Sequence, residues 1–348
     1  MRILILGKNY SAEKFFDYFN KNKEDIVFST NSKNKNYIEL LSVQEILDFC
    51  LANDINLVLI TEENYINEGI QELLSANNVT VFSPSIDAIN ICASKAYSKK
   101  FIYKNKIQSP KFIVAEKPQN AFEFVNSSIF PLAIKPDNHN DFETVYFIEN
   151  KKQAQDAISR YFANDNQKII IEDYIEGKNV RFWVLTDGYS AKILFKSAIY
   201  QNEIALFEPE FITSEIEEKI YKDMILPTIQ ALASQEEEYI GILGFDFILT
   251  YDNKPYLLGF DSFFDDLNID FALELLPFDW RKIFESTVIG DVFLNNTFEK
   301  INANALCFKE NENIEMICAN NRTNLKRYLK ELEINTKKLK EAEKIWKY

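Results

Sequence analysis

Residues 131–148, PLAIKPDNHNDFETVYFI, have the outline of a phosphate-binding hairpin: a strand that ends in Lys135, a polar loop, and a second strand. A lysine at a strand end presents a compact, mobile ammonium to anionic oxygens. The loop, PDNHND, contains no glycine. Loops that wrap phosphate with main-chain N–H groups need residues that tolerate positive φ and carry no obstructing Cβ. At the loop tip stands His139, the only histidine. It reads either as a solvated surface residue or as a donor or acid facing an anion.

A second candidate is a pair of carboxylates. TYDNKP, residues 250–255, is a turn centred near Asn253. A hairpin folded there brings residue 246 to within about one residue of register with 260, and Asp246 and Asp261 close together. Two neighbouring acids need a cation, a shared proton or solvent. Mg²⁺ held by one or two carboxylates plus nucleotide phosphates would satisfy them. In the alternative, each acid faces a different side of the sheet. Cys50, Cys92, Cys307 and Cys318 are far apart with one imidazole available, which argues against zinc and against a disulfide framework.

The elements that must position these groups follow from pattern. The apolar runs at 2–6, 57–60 and 79–82, separated by amphipathic stretches, are the βαβ grammar of a doubly wound parallel sheet. Two helical stretches then run to about Asn105. From Lys111 the strands become antiparallel in style and helices gather on one face, an α+β arrangement. The expected fold is therefore α/β and α+β, with domains at 1–100 and 101–300, a small lid subdomain at about 110–187, and a reduced C-terminal region at 301–348. Residues 322–347 read as an amphipathic basic helix, packed on its own domain or offered to a protein partner.

With 348 residues, 47% hydrophobic and 26% charged, the chain has room for more than one cored domain. A net charge of −14 argues against a nucleic-acid binder, since phosphate neutralisation needs a basic surplus. No apolar run approaches the roughly 20 residues of a membrane span and no signal pattern precedes the first strand, so a cytoplasmic protein with no membrane partner is expected. There are only eight glycines, and no two fall within one phosphate-wrapping loop.

The segment SPSIDAINICASKAYSKKFIYKNKIQSP, 83–110, resembles the one that joins the N-terminal and ATP-grasp domains of glycinamide ribonucleotide synthetase, the phosphoribosylamine–glycine ligase family. LAIKPD resembles that family's lysine-bearing strand, IIIEDYIEGKNVRFWVLTDG its hinge and following strand, and YIGILGFDFIL with KPYLLGFDSFFDD its closing segment. The similarity spans roughly residues 1–300. It implies an ATP-grasp domain at 101–300 behind a Rossmann-like domain, and ATP with Mg²⁺ as possible cofactors. The implied reaction is ATP-dependent carboxylate–amine ligation through an acyl phosphate, in purine biosynthesis. By the same resemblance, Lys95 and Lys135 face nucleotide phosphates. Glu172 and Asp173 open a hinge whose main chain, around Tyr174 and Ile175, meets the adenine edge. Asp246 and Asp261 lie where metal is held.

The sequence also departs from the family pattern. The Gly-rich turn after the first strand, which in that family accepts the substrate phosphate, is here GKNYSAE, with Gly7 alone. The ribose-binding acid falls at Lys178 or Asn179, the metal-binding Glu at Gly259, and its Asn partner at Asp261. Losing three hydrogen bonds to charged groups removes on the order of 5 to 9 kcal/mol, against about 8 kcal/mol for a micromolar complex. The expectation is an activity weakened, altered or lost. The alternatives are a non-catalytic binding or regulatory partner, and a nucleotide or metabolite sensor.

Overall fold

The computed structural model describes residues 1–319 apart from 22, 41, 138–145, 164–167, 201–203, 299–302 and 311–312. His139 and the 322–347 helix lie outside the described residues. The chain divides into two compact units. The larger comprises 1–89, 179–244 and 261–348, the smaller 90–178 and 245–260.

The larger unit begins with a parallel sheet of β1 (Arg2–Leu6), β2 (Ile26–Ser29), β3 (Leu57–Ile60) and β4 (Thr80–Phe82), in the order β2-β1-β3-β4. The continuous apolar runs of β1 and β3 suit strands covered on both faces, and Ile3–Leu6 and Leu57–Ile60 are all buried. Helix Tyr10–Asn20 lays Phe15, Phe16 and Phe19 into the core. There they meet helix Trp280–Val288, whose Phe284 ring lies 5.6 Å from Phe15 and 4.1 Å from Phe82.

In the smaller unit β5 (Phe112–Ala115), β6 (Leu132–Pro136), β7 (Tyr146–Ile148) and β8 (Ile169–Asp173) make an antiparallel sheet, β5-β8-β6-β7. Side chains alternate across a strand. One face, with Leu132, Ile134, Ile169 and Ile171, is closed by helices Pro118–Ser127 and Lys151–Tyr161. Ala133, Lys135 and Glu172 are left for the other face.

A seven-stranded sheet follows, built from β9 (Lys178–Asp187), β10 (Ala191–Tyr200), β11 (Ile204–Phe207), β12 (Ile240–Leu249), β13 (Pro255–Ser262), β14 (Asn304–Glu310) and β15 (Asn313–Ala319). Its order is β13-β12-β9-β10-β11-β14-β15. Strand β14 pairs onto β11 and β15 onto β14, so this part of the C-terminal region extends the sheet. The helical run Ser214–Ala233 contains a π turn at Tyr221–Ile225. Pro227 follows two residues after it and has no N–H for the Asp223 carbonyl one turn back, a reason for the ladder to widen there. Among the described residues no helix is long and apolar enough to cross a membrane.

Candidate functional site

On the other face of the small sheet, where helix Lys95–Lys104 packs, three charges meet. Glu172, only 2% exposed, stands on β8 opposite Ala133, and Lys135 lies two residues along β6 on the same face. The Lys135 ammonium pairs with Glu172 Oε1. Lys99, from helix Lys95–Lys104, brings its ammonium to 2.6 Å from Oε2 and to 5.9 Å from the centre of the Phe112 ring. Lys99 is 2% exposed and the Lys135 side chain 14%. Burial alone would push the Glu172 carboxyl upward, but the Lys135 and Lys99 ammoniums outweigh it and hold the group below its ordinary value. The Lys99 ammonium moves down from its ordinary value, because burial and the charge of Lys135 exceed what Glu172 returns.

Lys95 opens its helix half-buried. The helix start is capped from just beyond β6: Asp137 Oδ1 accepts from Ala96 N–H at 2.8 Å and from Ser94 Oγ at 2.9 Å. Ser94 Oγ in turn accepts from Tyr97 N–H. Asp137 follows Lys135 by two residues, so the same strand end that carries one candidate lysine secures the helix carrying the other. Along the hinge, Asp173 N–H donates to the Lys111 carbonyl and Tyr174 N–H to that of Pro131. Both of these hinge amides are therefore already paired within the smaller unit. The Tyr174 ring stands exposed, edge-on to Phe147 at 4.7 Å.

In the larger unit, the turn after β1 spends its donors internally. Gly7 N–H donates to Thr30 Oγ1 at 3.0 Å and Lys8 N–H to a Glu62 carboxylate oxygen at 2.7 Å. Asn9 Oδ1 caps the first helix through Ala12 N–H.

Also in the larger unit, Asp261 on β13 pairs with the Arg181 guanidinium from β9, which pairs with Asp265 as well. Arg181 lies over the Trp183 ring, 5.4 Å from its centre. Asp246 lies half-buried on β12 in the smaller unit, so the structure assigns the two acids to different units. A Cβ built at Gly259 meets nothing within 4 Å. Among the described residues no three His, Cys, Asp or Glu side chains gather as a metal site.

Lys135 and Glu172 are thus brought into contact, and Lys95 is tied to the same strand end. Three participants escaped the sequence reading. Lys99 had a usable signal, since it follows Lys95 by four residues and so shares its helix face. Glu62 and Arg181 had none, because their roles depend on strands far apart in sequence.

Residues 93–202 match the family model described as phosphoribosylglycinamide synthetase, ATP-grasp (A) domain. A phosphoribosylamine–glycine ligase of Fusobacterium nucleatum is 23% identical over 84% of this chain and 74% of its own length. One of Helicobacter pylori is 24% identical over 73% of this chain. The chain spans 63% of that second relative, less than two thirds of its length. Among solved structures, phosphoribosylamine–glycine ligase of Thermotoga maritima superposes with a TM-score of 0.75 at 16% identity, covering 95% of this chain and 96% of that one. Biotin carboxylase of Campylobacter jejuni gives 0.65 at 12% identity, covering 88% and 75%.

Proposed function

Taking as premise that this chain is an ATP-grasp protein related to the phosphoribosylamine–glycine ligases, we propose that it binds ATP in its smaller unit and does not join phosphoribosylamine to glycine. Lys95 and Lys135 serve the nucleotide phosphates, and the hinge opened by Glu172 and Asp173 serves the base through main-chain groups around Tyr174 and Ile175. When bound, ATP would supply the phosphoryl group that activates a carboxylate. The chain's own contribution is to orient and neutralise the phosphates with two ammoniums, which needs charge and position but no glycine loop.

The observation that carries the loss of the ligation is the contact between Lys8 N–H and Glu62. The turn after β1 is where the related enzymes accept the substrate phosphate, on the resemblance drawn above. Here a carboxylate already takes one of its amides, and a second anion beside it would meet like charge. Metal fits poorly at Asp261, because a cation there would have to displace the Arg181 guanidinium. The second reading, a non-catalytic binding or regulatory protein, draws on the same pairing, since phosphoryl transfer leans on metal ions to neutralise developing charge. Its partner surface is proposed to be the basic 322–347 segment, and its location cytoplasmic.

Calorimetric titration with ATP tests the reading. Heat with a millimolar or tighter constant is expected, and its loss in Lys135→Ala. Absence of heat in the unaltered protein would leave a nucleotide-free scaffold. Formation of product from phosphoribosylamine and glycine would overturn the loss of the ligation, and hydroxamate trapping with other carboxylates would identify a redirected ligase.

A further inference from the structure

We propose that Lys99 is a positioning residue: a fixed buried counter-charge that keeps Glu172 ionised while Lys135 leaves it to meet a nucleotide phosphate. This rests on the reading that Lys135 serves ATP. One ammonium would neutralise one carboxylate, yet Glu172 has two. The two are not equivalent. Lys135 is the less enclosed of the pair and stands at the strand end, next to the Asp137 that caps the Lys95 helix. Lys99 is sealed, held mid-helix over the Phe112 ring. Lys135 is therefore the arm that can turn and Lys99 the one that stays.

The physical need is plain. If Lys135 turned toward an anion with no second cation present, a carboxylate 2% exposed would be stranded without a partner, a strongly unfavourable state. With Lys99 in place, the departure leaves a neutral buried pair. The resting cluster carries a surplus of one positive charge, which an arriving phosphate neutralises and which also attracts it. The four-residue step from Lys95 puts both lysines on one helix face, so a single helix supplies a ligand-facing group and the charge behind it. The downward shift of Lys99 is the cost of crowding two ammoniums on one acid, and binding that draws Lys135 away relieves it.

The test compares the full-length protein with Lys99→Met and Lys99→Arg by ATP calorimetry in buffers of different ionisation enthalpy, between about pH 6 and 8. In Lys99→Met, departure of Lys135 should oblige Glu172 to take up a proton. Binding should therefore show close to one additional proton taken up per ATP relative to the unaltered protein, with affinity rising as pH falls, by up to about tenfold per unit. Lys99→Arg should restore the original proton count. Intact binding in Lys99→Met with the original proton count and pH profile would make Lys99 merely structural. Should Lys99→Met not fold, carboxyl ¹³C titration of Glu172 in Lys135→Ala decides. A midpoint still below the ordinary glutamate value supports Lys99 as the counter-charge, and one raised well above it refutes the idea. If the unaltered protein gives no heat with ATP, the functional reading fails first, and the Lys135→Ala titration still judges the charge role alone.

Discussion

The main-chain N–H of Lys8 donates to the Glu62 carboxylate at 2.7 Å, across the turn by which β1 enters the first helix. An acid side chain there does locally what a bound phosphate would do, satisfying an amide at a positive helix start. Removing it should open the turn. In Glu62→Ala the freed amide and the lost repulsion together are worth roughly 1.5–3 kcal/mol to an entering anion. Saturation-transfer NMR should detect ribose 5-phosphate on the variant in the millimolar range and not on the unaltered protein. Equal signals from both would remove Glu62 as the obstacle.

Arg181 supports a second expectation. Its guanidinium holds Asp261 and Asp265, both partly solvated, so a divalent cation gains little by competing. Titration with Mn²⁺, followed by electron paramagnetic resonance, should show no tight binding to the unaltered protein. In Arg181→Gln the guanidinium that occupies both carboxylates is removed, which leaves Asp261 and Asp265 to take a cation instead. That variant should bind Mn²⁺ at least tenfold more tightly. Tight Mn²⁺ binding to the unaltered protein, abolished by Asp261→Asn, would return Asp261 to the role of metal ligand.

How much of this was legible in the sequence depends on the range over which each signal acts. The buried strands β1 and β3 announce themselves as continuous apolar runs, and the Asn253 turn as an Asp-Asn step between two strands; Asn253 does take a positive φ of 62°. Strand β2 has four residues and begins at an exposed Ile26, too little pattern to stand out. The Lys135 strand and the hinge were readable because Lys135 and Glu172 end apolar runs. Their mutual contact was not, since it depends on the register Ala133 opposite Glu172, and register is set by packing beyond either segment. The same limit hid Arg181 against Asp261, which are eighty residues apart along the chain.

Lys196 yields a pH prediction. Its ammonium is enclosed between Glu208, which follows β11, and Glu217 at 2.6 Å. Burial lowers its pKa, but the two carboxylates exceed that and the net shift is upward. A raised base contributes stability that is fully present below the unfolded lysine value of about 10.4 and is lost as pH rises through the folded value. Lys196→Met leaves two acids facing each other without a cation and should cost about 3 kcal/mol at neutral pH, the lower end of the range because Glu208 keeps some solvent contact. Urea unfolding should show the gap between variant and parent closing as pH rises above the ordinary lysine value and through the raised folded one, where the parent also loses its charge. A gap independent of pH would mean that the loss comes from packing alone.

Two glycines on neighbouring strands should respond oppositely to one added methyl group. A Cβ at Gly244 on β12 would lie 2.8 Å from Cζ3 of Trp183, a fully buried ring braced edge-on by Phe264 at 5.1 Å and carrying Arg181 on its face. The indole cannot retreat without disturbing both, so Gly244→Ala should cost about 1–3 kcal/mol. It should also change Trp183 fluorescence, relative to a Trp183→Phe reference. At Gly259 on β13 the same methyl meets open space. Gly259→Ala should be neutral or stabilising by up to about 1 kcal/mol, because alanine has less backbone freedom to lose on folding. Urea midpoints of the two variants measured side by side decide the matter. If Gly244→Ala proved as harmless as Gly259→Ala, the close packing of Trp183 against β12 would be wrong, and with it the rigid platform on which Arg181 holds Asp261.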